Sequence, residues 1–328
     1  MHAAVVTAFD TPPTYREFPR PVPQAPDEVL VDVIASGLHP RVRSQADGSH
    51  YTSSGELPLV PGIDGVGRAP DGTLRYFVLP DTAMGAMAEQ TVIDQRRSVA
   101  LPDDTDPILV AAAVNPVMSS WIALRRRTQF EPGQTVLVLG ATGSAGRMAV
   151  QVAKHLGAGH VVAAGRDAQR LSALAGLGAD TTVQLGGAAA MGDLVRAARD
   201  VDVVIDYLWG PVTAELMAGI AATRSDPGKF LTWIEIGSVT GASADIPSAA
   251  LRAVRLTILG SGQGSVPTRD ILTEMPALIR EITRGTFDVD ASAVPLAQVE
   301  KAWTDAPGEQ RIVITPQGDQ PARRWADT

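Results

Sequence analysis

One segment constrains the fold of this chain more than any other: an apolar strand that runs into a glycine-rich turn and then into an amphipathic helix. The strand covers residues 135–139, and apolar residues recur at helical spacing between residues 148 and 156. Small residues in such a turn let the backbone approach a pyrophosphate, while amide groups at the helix start face the phosphates. The residues of this predicted dinucleotide site are Ala141, Thr142, Gly143, Ser144, Ala145 and Gly146.

Within that turn, the spacing A-x-G-x-x-G predicts a distinct role for three positions. Ala141 lies where the tight-turn glycine is often found, Gly143 allows the backbone to approach a ligand, and Gly146 allows the helix to pack on the strand. The alternative is a glycine turn with a purely structural role. The strand before the turn and the helix after it favour dinucleotide binding.

Beyond residue 135, apolar strands alternate with alanine-rich helical stretches. The predicted strands are 135–139, 161–164, 201–205, 230–236 and 256–259. This alternation is typical of a doubly wound parallel sheet. Residues 1–105 instead carry short strands between turn residues. The fold class is therefore predicted to be α/β, with a parallel sheet and a second, β-rich domain.

The type of dinucleotide is predicted from the end of the second strand. That strand is followed by Gly165, Arg166 and Asp167, at the place where an NAD-specific chain has a carboxylate on the ribose 2′-hydroxyl. An arginine fork binds a 2′-phosphate through two hydrogen bonds, whereas a carboxylate repels it. We therefore predict NADPH as the cofactor, bound by Gly165 and Arg166. In the alternative, Arg166 is a solvated residue at a helix start and Asp167 binds the ribose.

Composition removes several classes of function. The chain has 328 residues, no cysteine and a formal net charge of −8. The absence of cysteine excludes disulfides, thiol nucleophiles and thiolate zinc sites, and the acidic charge disfavours nucleic acid and acidic lipid as partners. The apolar run 107–124 is interrupted by polar residues and is expected to be a buried helix. No secretory signal is evident, so a cytoplasmic location is expected.

Several short segments carry a resemblance to a known family. They are residues 35–40, 57–67, 87–89, 119–124, 202–206 and 234–238, together with the glycine turn. In order and spacing they resemble the zinc-independent, zeta-crystallin-like quinone oxidoreductase branch of the medium-chain dehydrogenase/reductase superfamily. The resemblance implies a GroES-like catalytic domain, 1–117 with 266–328, around a Rossmann domain, 118–265. It also implies a homodimer.

The resemblance further implies chemistry without a metal. Zinc-dependent relatives have a catalytic cysteine near position 37 and a His-Glu pair in the PGxxxxG segment, where this chain has Gly37 and Ile63-Asp64. No metal site is therefore expected. The family chemistry is hydride transfer from NADPH to a quinone or to an α,β-unsaturated carbonyl compound, whose oxyanion needs only hydrogen-bond donors and a proton.

The same resemblance suggests residues on the substrate side. His39 replaces the asparagine of the family's Gly-Leu-Asn-Pro segment, and it is expected to donate a hydrogen bond to a developing enolate or to relay a proton. The alternative is a loop histidine that caps the turn before Pro40. Tyr51 is expected at the substrate mouth, where it stacks on a quinone ring or donates its hydroxyl. The alternative is packing at the lip of the β-rich domain. Ser119 matches a threonine that holds the nicotinamide carboxamide, the alternative being a helix N-cap.

Small residues after two later strands complete the expected cofactor site. Gly237 and Ser238 match the family's positions at the carboxyl edge of the sheet, where the dinucleotide crosses close to the backbone. Gly260 either flanks the nicotinamide or belongs to a flexible crossing between domains.

Two other classes of function stay open on the sequence. The first is a non-catalytic NADPH-binding protein, such as a sensor or an RNA-binding relative, since a fold does not dictate function. The second is a zinc-independent, NADP-linked alcohol dehydrogenase in which His39 acts as the base.

Overall fold

The computed structural model describes residues 1–305 and 310–316, so parts of the predicted C-terminal stretch 266–328 lie outside the described residues. The chain divides into two compact units. The first unit comprises Met1–Asn115 and Met275–Thr328, and the second comprises Pro116–Glu274.

The strands, in chain order, are β1 His2–Val5, β2 Thr14–Glu17, β3 Glu28–Leu38, β4 Asp64–Arg68, β5 Leu74–Val78, β6 Gln90–Asp94, β7 Ser98–Ala100, β8 Thr135–Leu139, β9 His160–Gly165, β10 Thr181–Gln184, β11 Val203–Asp206, β12 Leu231–Glu235, β13 Leu256–Gly260, β14 Ala291–Pro295 and β15 Arg311–Thr315.

The α-helices are α1 Pro40–Ala46, α2 Pro107–Ile122, α3 Ser144–His155, α4 Ala168–Ala173, α5 Ala190–Ala198, α6 Pro211–Thr223, α7 Ser248–Ala253, α8 Thr268–Thr283 and α9 Val299–Thr304. A π-helical turn, Ala123–Arg127, continues α2.

The second unit is built on a six-stranded sheet in which every adjacent pair is parallel. The strand order is β10-β9-β8-β11-β12-β13, so the chain starts in the middle with β8, moves outwards to β10 and then returns to β11. Residues 136–139 of β8 are completely buried, as expected for a strand covered by helices on both faces. The predicted doubly wound sheet is confirmed, and its strand order reverses between β8 and β11.

The first unit contains a separate seven-stranded sheet of mixed direction. Its path is β14-β15-β3-β4-β5-β7, with β6 paired to β3 beside that path. The long strand β3 pairs antiparallel with β4, β6 and β15, and so holds the sheet together. Its pairing with β15 joins the N-terminal strands to the C-terminal return. The predicted second, β-rich domain is confirmed.

One helical segment of the described chain, Pro107–Arg127, is long and apolar enough to cross a membrane on length and composition. However, 67% of its most apolar window is buried inside the protein. The expected buried core helix in this run is therefore confirmed.

A buried aspartate organises the carboxyl end of the central strand β11. The Asp206 side chain is fully buried. One of its oxygens accepts hydrogen bonds from the amides of Leu208 and Trp209 at 2.8 and 2.9 Å. The other oxygen accepts from the Thr213 hydroxyl at 2.6 Å and from the Trp233 indole N–H at 2.9 Å. This one carboxylate therefore ties β11, the following loop, α6 and β12 together.

We predict that Asp206→Ala destabilises the second unit strongly. The substitution leaves several buried donors without an acceptor, which costs about 3 kcal/mol or more of the free energy of unfolding. Urea unfolding measures the loss. The matched control is Asp193→Ala, which removes an exposed carboxylate paired with Arg196 and should cost less than about 1 kcal/mol. Equal effects of the two substitutions would contradict this account of Asp206.

Candidate functional site

The glycine turn between β8 and α3 has the geometry of a phosphate cradle. Gly140 adopts a φ of +82°, so the tight turn is made one residue before Ala141, which is buried. The amides of Gly140 and Ala141 both donate to the Ala164 carbonyl at 2.9 Å. A Cβ atom at Gly146 would lie 2.2 Å from the Gly140 carbonyl oxygen, so only glycine fits there. The turn therefore brings the start of α3 against β8.

The start of α3 fits an anionic ligand. The helix begins at Ser144 with Gly143 at the N-cap position, no side chain caps it, and its first turn contains no acidic residue. A Cβ atom at Gly143 would have only one neighbour within 4 Å, at 3.5 Å, so the backbone there is open to approach. Amides at an uncapped helix start, with the positive end of the helix dipole, suit a pyrophosphate. Thr142 and Ala145 complete this turn and are partly buried.

The two residues after β9, Arg166 and Asp167, are the predicted candidates for binding the adenosine ribose, and their surroundings differ. Gly165 is buried, and a Cβ atom there would lie 2.5 Å from a carbon of the Thr142 side chain. Asp167 caps α4 by accepting the Arg170 amide at 3.0 Å. Its carboxylate also lies 3.4 Å from the Arg170 guanidinium. The neighbouring Arg166 side chain is exposed and has no ion pair with any of the described residues. Asp167 thus serves its own helix, while Arg166 is accessible to a 2′-phosphate.

Ser119 is held by a tyrosine that the sequence analysis missed. Its hydroxyl lies 2.8 Å from the Tyr207 hydroxyl and donates to the Pro116 carbonyl at 2.9 Å. Tyr207 directly follows β11, and burial raises its pKa to about 12. Ser119 therefore does not act as a helix N-cap, because it lies inside α2. The signal available in the sequence was the position of Tyr207 after an apolar strand and Asp206.

Gly237 and Ser238 lie beside Tyr207 at the carboxyl edge of the sheet. The Gly237 amide donates to the Asp206 carbonyl at 3.2 Å. A Cβ atom at Gly237 would lie 3.2 Å from the Tyr207 carbonyl oxygen, and Ser238 is exposed. Glu235 at the end of β12 was also missed; burial, and next the Asp206 charge, raise its pKa. The structure thus brings Ser119, Tyr207 and Gly237 into one cluster.

Gly260 is placed differently. It ends the edge strand β13, and a Cβ atom there would have no neighbour within 4 Å. Its carbonyl accepts a hydrogen bond from the Arg127 guanidinium at 2.8 Å. No close approach therefore requires glycine at this position, and its predicted contact with the cofactor stays a prediction.

In the first unit, His39 is part of a buried hydrogen-bonded chain. Its ring Nε2 lies 3.1 Å from one Asp64 oxygen, and the Tyr76 hydroxyl donates to the other at 2.8 Å. His39 occupies the N-cap position of α1, but its side chain makes no capping hydrogen bond. It is therefore a buried partner of Asp64 rather than a loop cap before Pro40.

Burial controls the protonation of this cluster. It lowers the pKa of His39 despite the hydrogen bond to Asp64, and the Arg311 and Arg41 charges lower it further. Burial likewise raises the pKa of Tyr76 well above its usual value, with a further contribution from the Asp64 charge. His39 and Tyr76 are therefore neutral near pH 7. Asp64, Tyr76 and Arg311 were not predicted as site residues, because only the fold brings them to His39.

Tyr51 lies on an exposed loop. Its side chain is 72% exposed, and its ring lies 4.2 Å from the His50 ring, centre to centre. His50 Nδ1 lies 2.8 Å from the Thr52 hydroxyl, which lies close to the ion pair of Arg41 and Asp81. The structure therefore places Tyr51 on the surface, and a role at the substrate mouth stays a prediction.

The ligands that zinc needs are not assembled around His39. Among residues 1–305 and 310–316, no group of three or more His, Cys, Asp or Glu side chains is arranged to hold a metal ion. His39 and Asp64 supply two donors, and Gly37 has no side chain to supply a third. The donor set does not fit a catalytic zinc ion, which takes three protein ligands and a water.

We predict that the stability of the first unit falls on the acid side because of His50. Burial and the Arg41 charge lower the pKa of His50 to about 4, whereas the unfolded chain has a pKa of about 6.5. His50 binds a proton more tightly in the unfolded state than in the folded state. The contribution of neutral His50 to the free energy of unfolding is therefore complete above about pH 6.5 and is lost as the pH falls towards 4. His50→Gln should flatten the pH dependence of urea unfolding between about pH 7 and 4.5. An unchanged slope would contradict this account.

Comparison with known proteins agrees with this geometry. The family model for zinc-binding dehydrogenases matches residues 145–284. A probable NADPH-dependent quinone reductase of Emericella nidulans is 33% identical over 362 residues, covering 96% of this chain and all of the relative. The chloroplastic NADPH-dependent alkenal/one oxidoreductase of Arabidopsis thaliana is 28% identical over 173 residues, covering 48% of this chain and 45% of the relative.

A solved structure supports the same fold. The quinone oxidoreductase from Thermus thermophilus, also determined with NADPH, superposes with a TM-score of 0.74 at 24% identity. The match covers 96% of this chain and 100% of that one. The extent of these matches, together with the strand order and the glycine turn, shows that the chain belongs to the quinone oxidoreductase group of the medium-chain dehydrogenase/reductase superfamily.

Proposed function

We propose that this protein is an NADPH-dependent oxidoreductase that transfers a hydride to a quinone or to an α,β-unsaturated carbonyl compound. The observation that carries the proposal is the cradle at the start of α3, where the helix has no side-chain cap and only glycine fits at position 146. The names of two relatives, an NADPH-dependent quinone reductase and an NADPH-dependent alkenal/one oxidoreductase, support the substrate class.

The second unit supplies the cofactor site in this proposal, and residues 118–265 are its Rossmann domain. The backbone from Ala141 to Gly146 holds the pyrophosphate, and Arg166 binds the 2′-phosphate. Ser119, oriented by the Tyr207 hydroxyl at 2.8 Å, hydrogen-bonds the carboxamide. Gly237 and Ser238 let the dinucleotide lie against the sheet edge, and Gly260 flanks it. When bound, NADPH supplies the hydride for the reaction.

The first unit supplies the substrate side, with residues 1–117 and 266–328 as its GroES-like catalytic domain. His39 and Tyr51 contact the substrate in this proposal. The reaction runs without zinc, which is supported by the absence of cysteine and by Gly37 at the position of the zinc ligand. The zinc-binding family model matches residues 145–284, a range that contains neither His39 nor Asp64.

The net charge of −8 disfavours nucleic acid and acidic membranes as partners. We therefore propose small-molecule partners, and we also propose a cytoplasmic location. We also propose a homodimer. It is supported by β13, which lies at the edge of the six-stranded sheet among the described residues. Two exposed apolar side chains lie in the segments around it, Phe230 (55% exposed) and Leu251 (50%).

The experiment that tests the function combines binding with a single turnover. The protein is titrated with NADPH and NADH by fluorescence, and the complex is then mixed with 1,4-benzoquinone or a small enone in a stopped-flow instrument. We expect rapid oxidation of bound NADPH. Binding without oxidation would favour the non-catalytic alternative. No binding would contradict the assignment of the glycine turn.

Arg166 gives a sharper prediction about cofactor choice. Because its exposed guanidinium is expected to bind the 2′-phosphate, Arg166→Ala should weaken NADPH binding about tenfold, or about 1.4 kcal/mol, and leave NADH binding unchanged. Fluorescence titration measures both dissociation constants. The matched control is Arg196→Ala, which removes an exposed arginine paired with Asp193 in the same unit. An equal loss of affinity for NADPH and NADH would contradict the proposed role of Arg166.

A further inference from the structure

A partly buried arginine, Arg311, begins the strand β15 that pairs with the end of β3 next to His39. Strands β3 and β15 are antiparallel, with Leu38 opposite Ile312 and Gly37 opposite Val313. Continued by one residue beyond these pairs, the register places His39 opposite Arg311. Side chains directly opposite each other in an antiparallel pair lie on the same face, about 5 Å apart at Cβ. Burial, and to a smaller extent the Arg311 charge, lowers the pKa of His39. Burial also lowers the pKa of Arg311 to about 10, and the Asp64 charge opposes this.

Part of the Arg311 side chain has a structural role. Its Nε donates to the Ala112 carbonyl in α2 at 3.3 Å. That carbonyl is four residues before Pro116, which has no N–H to complete the helical hydrogen bond. Arg311 therefore satisfies a buried carbonyl that the proline leaves without its usual donor.

A second nitrogen of the Arg311 guanidinium is not used in this way. Its Nη2 is buried and has no hydrogen-bond partner among the described residues. The same holds for Nδ1 of His39. A buried donor without an acceptor has lost its hydrogen bonds to water without replacing them, which is unfavourable. A cationic donor kept in this state next to His39 points to a ligand with an acceptor oxygen.

His39 does not supply that donor. Because a carboxylate only accepts hydrogen bonds, Asp64 places the ring proton of neutral His39 on Nε2. In this tautomer, His39 presents an acceptor at Nδ1.

We propose that Arg311 is a further catalytic residue, whose Nη2 donates a hydrogen bond to the carbonyl oxygen of the substrate and stabilises the negative charge that forms there. Asp64 is a positioning residue, which fixes the ring of His39 beside Arg311. This proposal rests on the proposed function, since it assigns a group to the reaction at that site.

The proposed step is the reduction of an enone by NADPH, and water supplies the proton. With an enone, the β-carbon receives a hydride and a C–H bond forms. The C=C electrons move to the Cα–C(carbonyl) bond, and the C=O electrons move to oxygen. The enone is thus reduced by two electrons while NADPH is oxidised to NADP⁺. The enolate oxygen is held by Arg311, and water supplies the proton that completes the product. A buried cation at this oxygen acts mainly in the transition state, where the charge develops.

Single-turnover kinetics with substituted arginine test the proposal. Arg311→Ala should slow the oxidation of bound NADPH by 1,4-benzoquinone or but-3-en-2-one about 100-fold. The NADPH dissociation constant should stay within about twofold, and kcat should change more than KM. Added methylguanidinium should raise the rate of Arg311→Ala at least about tenfold, whereas an equal concentration of sodium chloride should not raise it. Arg311→Lys, which keeps the charge but not the fork, should lie between these values.

The chain offers a matched control in another buried arginine. Arg224 donates to the carbonyls of Arg199, Val201 and Phe230 at 2.8 to 3.1 Å. Arg224→Lys should lower thermal stability without slowing hydride transfer. If Arg311→Ala fails to fold, Arg311→Lys decides. A rate for Arg311→Lys like that of Arg224→Lys overturns the proposal, and a rate at least about tenfold lower supports it.

Other outcomes separate this proposal from the proposed function. If wild-type protein oxidises NADPH and folded Arg311→Ala does so within about threefold of it, only the role of Arg311 is overturned. A slow Arg311→Ala variant that methylguanidinium does not restore also overturns it. If the wild-type protein binds NADPH but reduces neither acceptor, the proposed function fails and the role of Arg311 falls with it.

Discussion

A charge removed from water must be compensated, and this constraint shapes both units through one aspartate each. In the second unit, Asp206 is fully buried and accepts four hydrogen bonds, from two backbone amides, a hydroxyl and an indole. In the first unit, Asp64 accepts from His39 and Tyr76. Each carboxylate is stable inside the protein only because the chain around it presents donors in fixed positions.

The compensation of Asp206 positions the proposed cofactor residues. Its hydrogen bonds hold the first residues after β11, where Trp209 adopts a φ of +55° that a non-glycine residue rarely takes. Tyr207 lies in that loop, and its hydroxyl in turn meets Ser119. The Asp206 carboxylate therefore fixes the loop that carries Tyr207, and Tyr207 in turn contacts the partly exposed Ser119 hydroxyl. Such supporting contacts reduce the freedom of the groups that meet a ligand.

The hydrogen bonds around Asp64 decide which polar atoms of His39 and Arg311 can bind other partners. The Nε2 proton of His39 is committed to the carboxylate, and the Arg311 Nε is committed to a helix carbonyl. Of these two side chains, Nδ1 of His39 and Nη2 of Arg311 are buried atoms without a hydrogen-bond partner among the described residues. The pairing of donors and acceptors, more than the identity of the residues, sets the chemical character of this site.

The sequence by itself determined the elements whose signal is local. Apolar strands alternating with helices predicted the parallel sheet, and the glycine spacing predicted the turn before α3, because backbone geometry and burial act over a few neighbouring residues. Contacts between residues that are far apart in the sequence could not be predicted. His39 appeared as a possible donor or as a loop cap, and Arg311 appeared only as the start of a strand. The tertiary structure alone decided that they stand opposite each other, since register between β3 and β15 is set by packing of the whole sheet. It also decided that His39 Nε2 forms its hydrogen bond with Asp64, because hydrogen-bond roles depend on which groups share a buried space.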